Sequence, residues 1–304
     1  MSAAPGREAA IYGAERGERF DRRGGARFAT LLWGLPGLIW LALFLVAPVA
    51  VIVVVSFFTP TIFGFEETWT LDNYRTLFAE NSQYLPTLVK VTRNAAITTA
   101  ISLVIGYPVA YFLATQVKKQ RVAIALFVVA LAPFFTSAII RTVAWMPTLS
   151  QQGAVNKILQ RAGADPISAL LFSDFAVVLV MTQIYVLFMV TPIFFQLAAI
   201  DRSALEAARD LGASGSRVFF HVVLPLTLPG VLIGSVFVFV LSMGDFATYR
   251  IIGGGKVGSI GVNVQNFITQ LQFPAAAAQA VVLVLAMSVG SALLLRFARL
   301  RTEL

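Results

Sequence analysis

The sequence predicts an all-α polytopic membrane protein with six transmembrane helices and both termini cytoplasmic, and three observations lead to it. Over 304 residues, 58% are hydrophobic and only 12% charged, about half the charge of an ordinary soluble domain. Asp, Glu, Lys and Arg are all absent from residues 28–65, 94–117, 175–200 and 218–244, and a bilayer crossing needs about 20 apolar residues. Basic residues gather at the ends of those runs, where they act as topology signals rather than as a nucleic-acid face, despite the net charge of +8.

Residues 1–27 carry Arg7, Arg16, Arg19, Arg22, Arg23 and Arg27 among Glu8, Glu15, Glu18 and Asp21, and read as a solvated cytoplasmic tail. The apolar run that follows is longer than the core of a cleaved signal, so it reads as a retained first span over 29–58. The second span is predicted over 91–114. A third runs from the basic stretch Lys118, Lys119, Arg121 to Trp145. The fourth occupies 175–197, the fifth 223–246 and the sixth 275–295, closed by Arg296, Arg299 and Arg301. A single transmembrane domain thus covers 28–297, with a cytoplasmic loop at 198–222 and a short tail at 298–304.

Orientation follows from retention of basic residues in the cytoplasm. The N-terminal tail holds six, and the 118–121 turn, the 202–217 loop and the C-terminal tail hold three each. The opposite side has only Arg75, Lys157, Arg161, Arg250 and Lys256, while Lys90, Arg93 and Arg141 sit near outer span ends where long side chains can snorkel. The chain has no cysteine and one histidine, His221, which leaves no thiolate metal site and no metal or catalytic cluster. The GGGK at 253–256 lacks the rest of a phosphate loop and is not expected to bind ATP. Gly230 and Gly234 form a small-xxx-small pair suited to a helix-packing seam.

The informative stretch is the loop between spans four and five. Ser203 with Glu206 fits a capping box, Asp201 adds negative charge at a helix start, and Gly212 suits a left-handed stop, giving a short helix over 204–211. Ser214 or Ser216 can then cap a second helix leading to Pro225. Periodicity alone equally allows an amphipathic connector lying on the membrane surface.

Glu206, Ala207 and Ala208, then Asp210, Leu211, Gly212 and, after a further nine residues, Val222, Val223, Leu224 and Pro225 resemble the EAA motif of ABC importer permeases, with Val222 where isoleucine is usual. The similarity extends through IGYPVAYFLA at 105–114, APFFTSAIIRTVAWM at 132–146, LPLTLPG at 224–230 and GDFATYRIIGGG at 244–255, and looks closest to the spermidine/putrescine permease family. What the resemblance implies is a type I ABC importer permease fold in the bacterial inner membrane. The chain would be a half-channel paired with a second permease subunit, two ATPase subunits and a periplasmic solute-binding protein, in contact with lipid and with no nucleic acid. In that family the EAA helix enters a groove on the ATPase, so Glu206, Ala207, Ala208, Asp210, Leu211, Gly212, Leu224 and Pro225 become the coupling residues. No cofactor is expected in this chain; ATP and magnesium belong to the ATPase partners, and the chain itself is not expected to be an enzyme.

Charged residues in or near a span cost several kcal/mol by insertion scales and are weighed as functional. Asp245 either offers its carboxylate to a cationic solute or pairs with Arg141 or Arg250 at an interface. Arg141 with Trp145 frames the pathway or joins an aromatic belt, and Tyr185 and Phe188 read first as packing residues on the same route. The first outer loop holds Glu66, Glu67, Asp72 and Glu80 against Arg75, which mildly suits a cation. A polyamine is the expected solute, with an opine, an aminophosphonate or another amine as the alternative. A secondary transporter would call for related halves and buried charges, and a membrane enzyme for paired catalytic groups; neither pattern is evident.

Overall fold

The computed structural model describes residues 35–61, 64–117, 119–168, 170–201, 208, 210 and 212–302. The expected tail at 1–27 and the start of the first span lie outside these residues.

The chain divides after Val55 into two units. The first contributes helix α1, Leu35–Val55, apolar throughout, with a π turn over Ala42–Val46. Pro48 follows that turn; it has no N–H for the Phe44 carbonyl, and the wider turn relieves the conflict of its ring with the preceding backbone.

The second unit opens with two antiparallel strands that an all-helical expectation did not include, β1 Phe58–Thr61 and β2 Gly64–Trp69. Their aromatic and β-branched residues suit a pleated ladder: Phe58 stacks on Phe65 at 5.6 Å between centroids, and the Thr68 hydroxyl donates to Thr59 Oγ1 at 2.7 Å. Helix α2, Asp72–Leu77, is pinned beneath them by buried Asn73, whose Nδ2 donates to the carbonyls of Ser56 and Phe58, both at 2.9 Å.

There follow α3 Tyr84–Gln116, α4 Gln120–Leu131 with a 3-10 turn Ala132–Phe135, α5 Ala138–Leu149, α6 Ala154–Arg161 and α7 Asp174–Ala198. Then come α8 Gly215–Gly244, α9 Ala247–Ile251, α10 Ile260–Thr269 and α11 Phe273–Thr302. Among the described residues five helices are long and apolar enough to cross a membrane, and a sixth apolar stretch is a bent pair, a broken span or a re-entrant loop, in which Arg121–Phe135 and Ala138–Arg161 meet at 83°. The straight third span running to Trp145 is therefore corrected to a bent pair. Pro133 removes a backbone donor and its ring conflicts with the carbonyl four residues back, while Thr136 adopts an extended conformation. Two other spans begin a turn or more before their predicted starts, α3 at Tyr84 and α8 at Gly215. Charge and polarity marked where lipid begins, not where the helix does.

Helices α3, α7 and α8 pack together to form the centre of this unit. The Gly230–Gly234 seam is real and lies between α7 and α8. A Cβ at Gly230 would fall 2.7 Å from the Pro192 carbonyl oxygen, and one at Gly234 would fall 2.9 Å from Met189 Sδ. Two buried clusters result. One contains Val91, Met181, Ile184, Met243, Tyr249 and Ile252; the other contains Ala110, Leu113, Met189, Ile193, Leu197 and Val218. Large apolar side chains such as Val104, Val129 and Phe135 stand exposed on the unit, as expected where lipid or another apolar surface is the neighbour.

Candidate functional site

Two ends of the helical unit carry the residues singled out in the sequence. At one end α7 leads into the 198–222 segment. Glu206, Ala207 and Leu211 lie outside the described residues, whereas Ala208 and Asp210 are helical. Gly212 has φ +81°, the left-handed conformation expected of a helix stop. The Ala213 N–H donates to the Ala208 carbonyl at 3.2 Å, five residues back, which is the closing bond of a Schellman motif. Ala208 and Ala213 pack together with Ile200, Phe219 and Val222 against the second cluster, while Asp210 faces outward. The helix end is thus fastened to the apolar base of the spans with a carboxylate projecting from it.

Ser214 then caps the next helix, its Oγ accepting from the Arg217 N–H at 3.4 Å, as the sequence suggested. The helix passes through a π turn over Phe219–Val223 before Leu224 and Pro225. Pro225 cannot donate to the His221 carbonyl, and the π turn stands directly before it, as at Pro48. Phe219 meets the rings of Tyr107 and Tyr111 edge-on at 5.7 and 5.6 Å, which joins α8 to the corresponding end of α3. His221 Nδ1 lies 3.2 Å from the Arg217 carbonyl oxygen on an exposed face, a local contact within its own helix.

At the other end a cavity of about 270 Å³ opens between α5, α7 and the α8–α9 corner, with Arg141, Thr142, Tyr185, Phe188, Asp245 and Thr248 among its walls. Four of the five expected pathway residues are brought together here. Trp145, one turn beyond Arg141, packs against the first buried cluster instead. Asp245 is 9% exposed, and neither Arg141 nor Arg250 is its partner. Its Oδ1 accepts from the Thr248 N–H at 2.9 Å, and its Oδ2 from the Thr248 hydroxyl at 2.6 Å and the Tyr185 hydroxyl at 3.0 Å. Because α8 ends at Gly244, Asp245 caps the short helix α9, and the Asp-to-Thr spacing that does so is local. A carboxylate offers about four lone-pair positions, so one remains. Arg250 turns away to Gln265 Oε1 at 3.3 Å.

Arg141 lies over the Phe134 ring, 5.1 Å from its centroid, and its buried Nε has no hydrogen-bond partner. Phe134 belongs to the 3-10 turn at the bend and meets Phe188 edge-on at 5.3 Å. The cavity therefore presents a partly spent carboxylate, a free guanidinium edge and aromatic faces.

Beside this cavity lies a polar network that the sequence reading did not assemble. Asp174 Oδ2 pairs with Lys90 at 3.2 Å and Arg93 at 3.3 Å, and its Oδ1 accepts from Asn94 Nδ2 at 3.0 Å. Asn94 Nδ2 also lies 3.4 Å from the Tyr249 hydroxyl. Lys90 and Arg93 were expected to snorkel; they hold the head of α7 instead. Burial pushes the Tyr249 phenol up to about 12, so it stays protonated. The local signal was available, since Ser173 caps α7 by accepting from the Ala176 N–H at 3.1 Å, with Asp174 next in sequence. Its basic partners, some 80 residues away, were not legible. The GGGK segment ends at Lys256, whose Nζ lies 5.8 Å from the Phe172 ring centroid, on the wall of a second, more polar cavity with Ser150, Gln151, Gln152 and Ser168.

Residues 68–301 match the family described as binding-protein-dependent transport system inner membrane component. The chain is similar to the spermidine/putrescine transport system permease protein PotB of Salmonella typhimurium (strain SL1344), with 35% identity over 266 residues, 86% of this chain and 91% of that protein. In fold it is similar to a chain of a bacterial ABC transporter involved in the import of the acidic polysaccharide alginate. That match has a TM-score of 0.62 at 20% identity and covers 93% of this chain and 98% of the other. A chain of the bacterial alginate ABC transporter in complex with an alginate pentasaccharide-bound periplasmic protein matches equally, with a TM-score of 0.62 at 18% identity over 94% and 98% of the two chains. These likenesses concern fold alone, and they bear out the expected importer permease architecture.

Proposed function

Because the chain belongs to the binding-protein-dependent transport system inner membrane components, a family of multi-pass permease subunits, we propose that it carries polyamines such as spermidine or putrescine into the cytoplasm as one half of an ATP-driven importer. The observation that carries this reading is the 35% identity to a polyamine permease, which extends over 86% of the chain and so includes both the 198–222 segment and the cavity walls. In this reading both termini are cytoplasmic, the Gly212 end faces an ATPase, and the Asp245 cavity opens towards a periplasmic binding protein. A second, related permease chain and two ATPase subunits complete the assembly. ATP and magnesium act in those subunits, and this chain performs no hydrolysis.

The 198–222 segment transmits the power stroke. A helix closed by a Schellman turn and packed on the base of α3, α7 and α8 moves with the spans as a rigid body, so a push on its outer face becomes rocking of the bundle. Ala207 and Ala208 allow close approach of the ATPase groove; Glu206 and Asp210 offer it charge. In the cavity, Asp245 keeps one acceptor position for an ammonium group, while Phe134, Tyr185 and Phe188 suit the methylene stem of an alkylamine and the face of a cation.

Uptake of radiolabelled putrescine and spermidine in cells expressing the chain with its ATPase, companion permease and binding protein tests the reading. ATP-dependent accumulation is expected, lost in Gly212→Asp and Glu206→Lys while the chain remains in the membrane. Accumulation driven by an ion gradient without the ATPase would make it a secondary transporter, and capture by the binding protein of some other amine but of no polyamine would change the solute.

A further inference from the structure

The head of α7 gathers more positive charge than its own residues neutralise. Asp174 spends Oδ2 on Lys90 and Arg93, at 3.2 and 3.3 Å, and Oδ1 on Asn94 Nδ2 at 3.0 Å, which takes three of about four acceptor positions. Two cations thus share one carboxylate, and the Arg93 side chain stays 56% exposed. The glycine-rich loop brings a third cation alongside. The Phe172 N–H donates to the Ile252 carbonyl at 3.2 Å, a Cβ at Gly254 would strike the Phe172 ring, and one at Gly258 would lie 3.3 Å from Thr87 of α3. That loop therefore touches α3 and the entry to α7, the two helices whose charged heads meet at Asp174. It sets Lys256 Nζ 5.8 Å from the Phe172 ring centroid, exposed and in none of the three ion pairs among the described residues. Phe172 holds φ +64° here, a conformation that an aromatic residue adopts only where its surroundings impose it. Lys256 also walls the second cavity, of about 670 Å³, whose other polar walls are the hydroxyls and amides of Ser150, Gln151, Gln152 and Ser168. Helix α6 is tied to this recess by Asn156, whose Nδ2 donates to the Ser150 and Ile167 carbonyls at 3.2 and 3.1 Å. It adds Lys157 and Arg161 against Asp165. The segments that meet here, 84–94, 150–174 and 252–258, carry five cations and two carboxylates.

We propose that this basic recess receives an acidic side chain of the periplasmic solute-binding protein when the loaded protein docks, with Lys256 as its principal contact. This rests on the reading of the chain as a binding-protein-dependent importer permease, in which this end faces the periplasm. Charge complementarity selects the occupant. A cationic solute is repelled by the same groups that attract a carboxylate. A lipid headgroup would bring acyl chains with it, and the walls are hydroxyls and amides, unlike the apolar side chains such as Val104 and Phe135 that stand exposed along the spans. A protein carboxylate finds an unpaired ammonium with amide donors around it, and opposite charge on two docking surfaces speeds their encounter and fixes their register. The recess is also joined to the solute cavity. Asn94 Nδ2 lies 3.4 Å from the Tyr249 hydroxyl, and Tyr249 follows Thr248, which holds Asp245. A docked protein is thereby seated beside the corner that carries the solute-facing carboxylate.

The test uses the complete transporter in proteoliposomes, with putrescine-loaded binding protein added at the outer face, and reads the concentration of that protein which half-saturates ATP hydrolysis. Lys256→Glu is expected to raise it about tenfold, the size of one charged hydrogen bond lost, with the maximal rate retained. Lys256→Arg keeps the charge and should leave it near the parent value. Added salt narrows the gap between Lys256→Glu and the parent. A carbodiimide, which joins a carboxyl to an amine as an amide, is expected to couple the docked protein to position 256 in the parent and not in Lys256→Arg. An unchanged half-saturating concentration in Lys256→Glu would overturn the docking while leaving the importer reading intact. A rise confined to vesicles containing phosphatidylglycerol, and missing in phosphatidylcholine alone, would assign the recess to a lipid phosphate and overturn it too. No stimulation of the parent by the loaded binding protein would remove the importer reading, and the docking with it. Stimulation only when the binding protein carries some other amine, still weakened by Lys256→Glu, would support the docking and remove the polyamine alone.

Discussion

The Gly212 end and the Asp245 end of the helical unit are built by different means. At the Gly212 end the decisive contacts are backbone and apolar: a positive φ, a hydrogen bond across five residues, and alanines seated on a cluster of large side chains. At the Asp245 end they are polar, and besides the local cap on Thr248 they join side chains far apart in sequence, such as Tyr185 to Asp245, 60 residues apart, and Arg93 to Asp174, 81 apart. A lever must not flex, and its design uses parts with few alternative conformations. A pathway must change partners as solute passes, and its design uses hydrogen bonds that can be exchanged at similar free energy.

The sharpest break of this contrast is at Gly212. Its added side chain would meet open space in this chain, so only the backbone demand and the partner surface are tested. Gly212→Val forces a β-branched residue into a left-handed conformation, costing about 1 to 2 kcal/mol, and uptake is expected to fall by about 5- to 30-fold as the helix end loses its stop. Gly212→Asn, which tolerates that conformation, keeps most of it. The same assay that separates these two variants also separates backbone geometry from mere smallness at this position.

Next in size is Asp245→Asn. The amide still accepts at one oxygen, so the α9 cap survives, but the charge is lost; KM for a polyamine is expected to rise about tenfold, as for a lost charged hydrogen bond, with kcat changed less. Unaltered KM would assign Asp245 to the corner alone.

Asp174→Asn leaves Lys90 and Arg93 facing each other without their carboxylate. The group is about a third exposed, with 34% side-chain accessibility, so the loss is discounted to about 1 kcal/mol, read as a melting temperature lower by about 2 to 4 °C. Raising the salt concentration should shrink the difference between this variant and the parent. Smallest is Ser214→Ala, which removes a cap worth about 1 kcal/mol of local helix stability and should leave uptake within about twofold of the parent.

The same contrast explains what the sequence made legible. Gly212, Ser214 and the Gly230–Gly234 seam were readable because each acts through local φ preference, a cap three residues long, or small residues one turn apart. Four of the long apolar helices followed from the four charge-free intervals. The 83° bend was not foreseen, although Pro133 sat in view, because a proline can end, kink or merely tilt a helix and neighbours decide which. The strand pair at 58–69 was hidden in a loop too short to show a clear alternation. Asp245 was singled out by its place at the end of an apolar run, but its partners were misjudged: charge suggested Arg141 or Arg250, whereas a threonine three residues on and a tyrosine from another helix supply the bonds. Specific side-chain pairing across helices depends on rotation about each helix axis, and hydropathy does not report that angle.

The π turns of α3 and α8, Phe112–Gln116 and Phe219–Val223, add one further consequence. Each inserts a residue into the helical repeat, which shifts the face beyond it by about 100°. In α8 the side chains before and after Phe219–Val223 therefore keep different phases: Val218 meets the second cluster while Gly230 and Gly234 meet α7. Deleting one residue within 219–223 would restore a continuous phase and turn Ala213 and the Gly212 stop roughly a quarter-turn away from their seat, with every span still in the membrane. The segment works as a cam does, in that its angular setting on the shaft carries as much of the action as its shape.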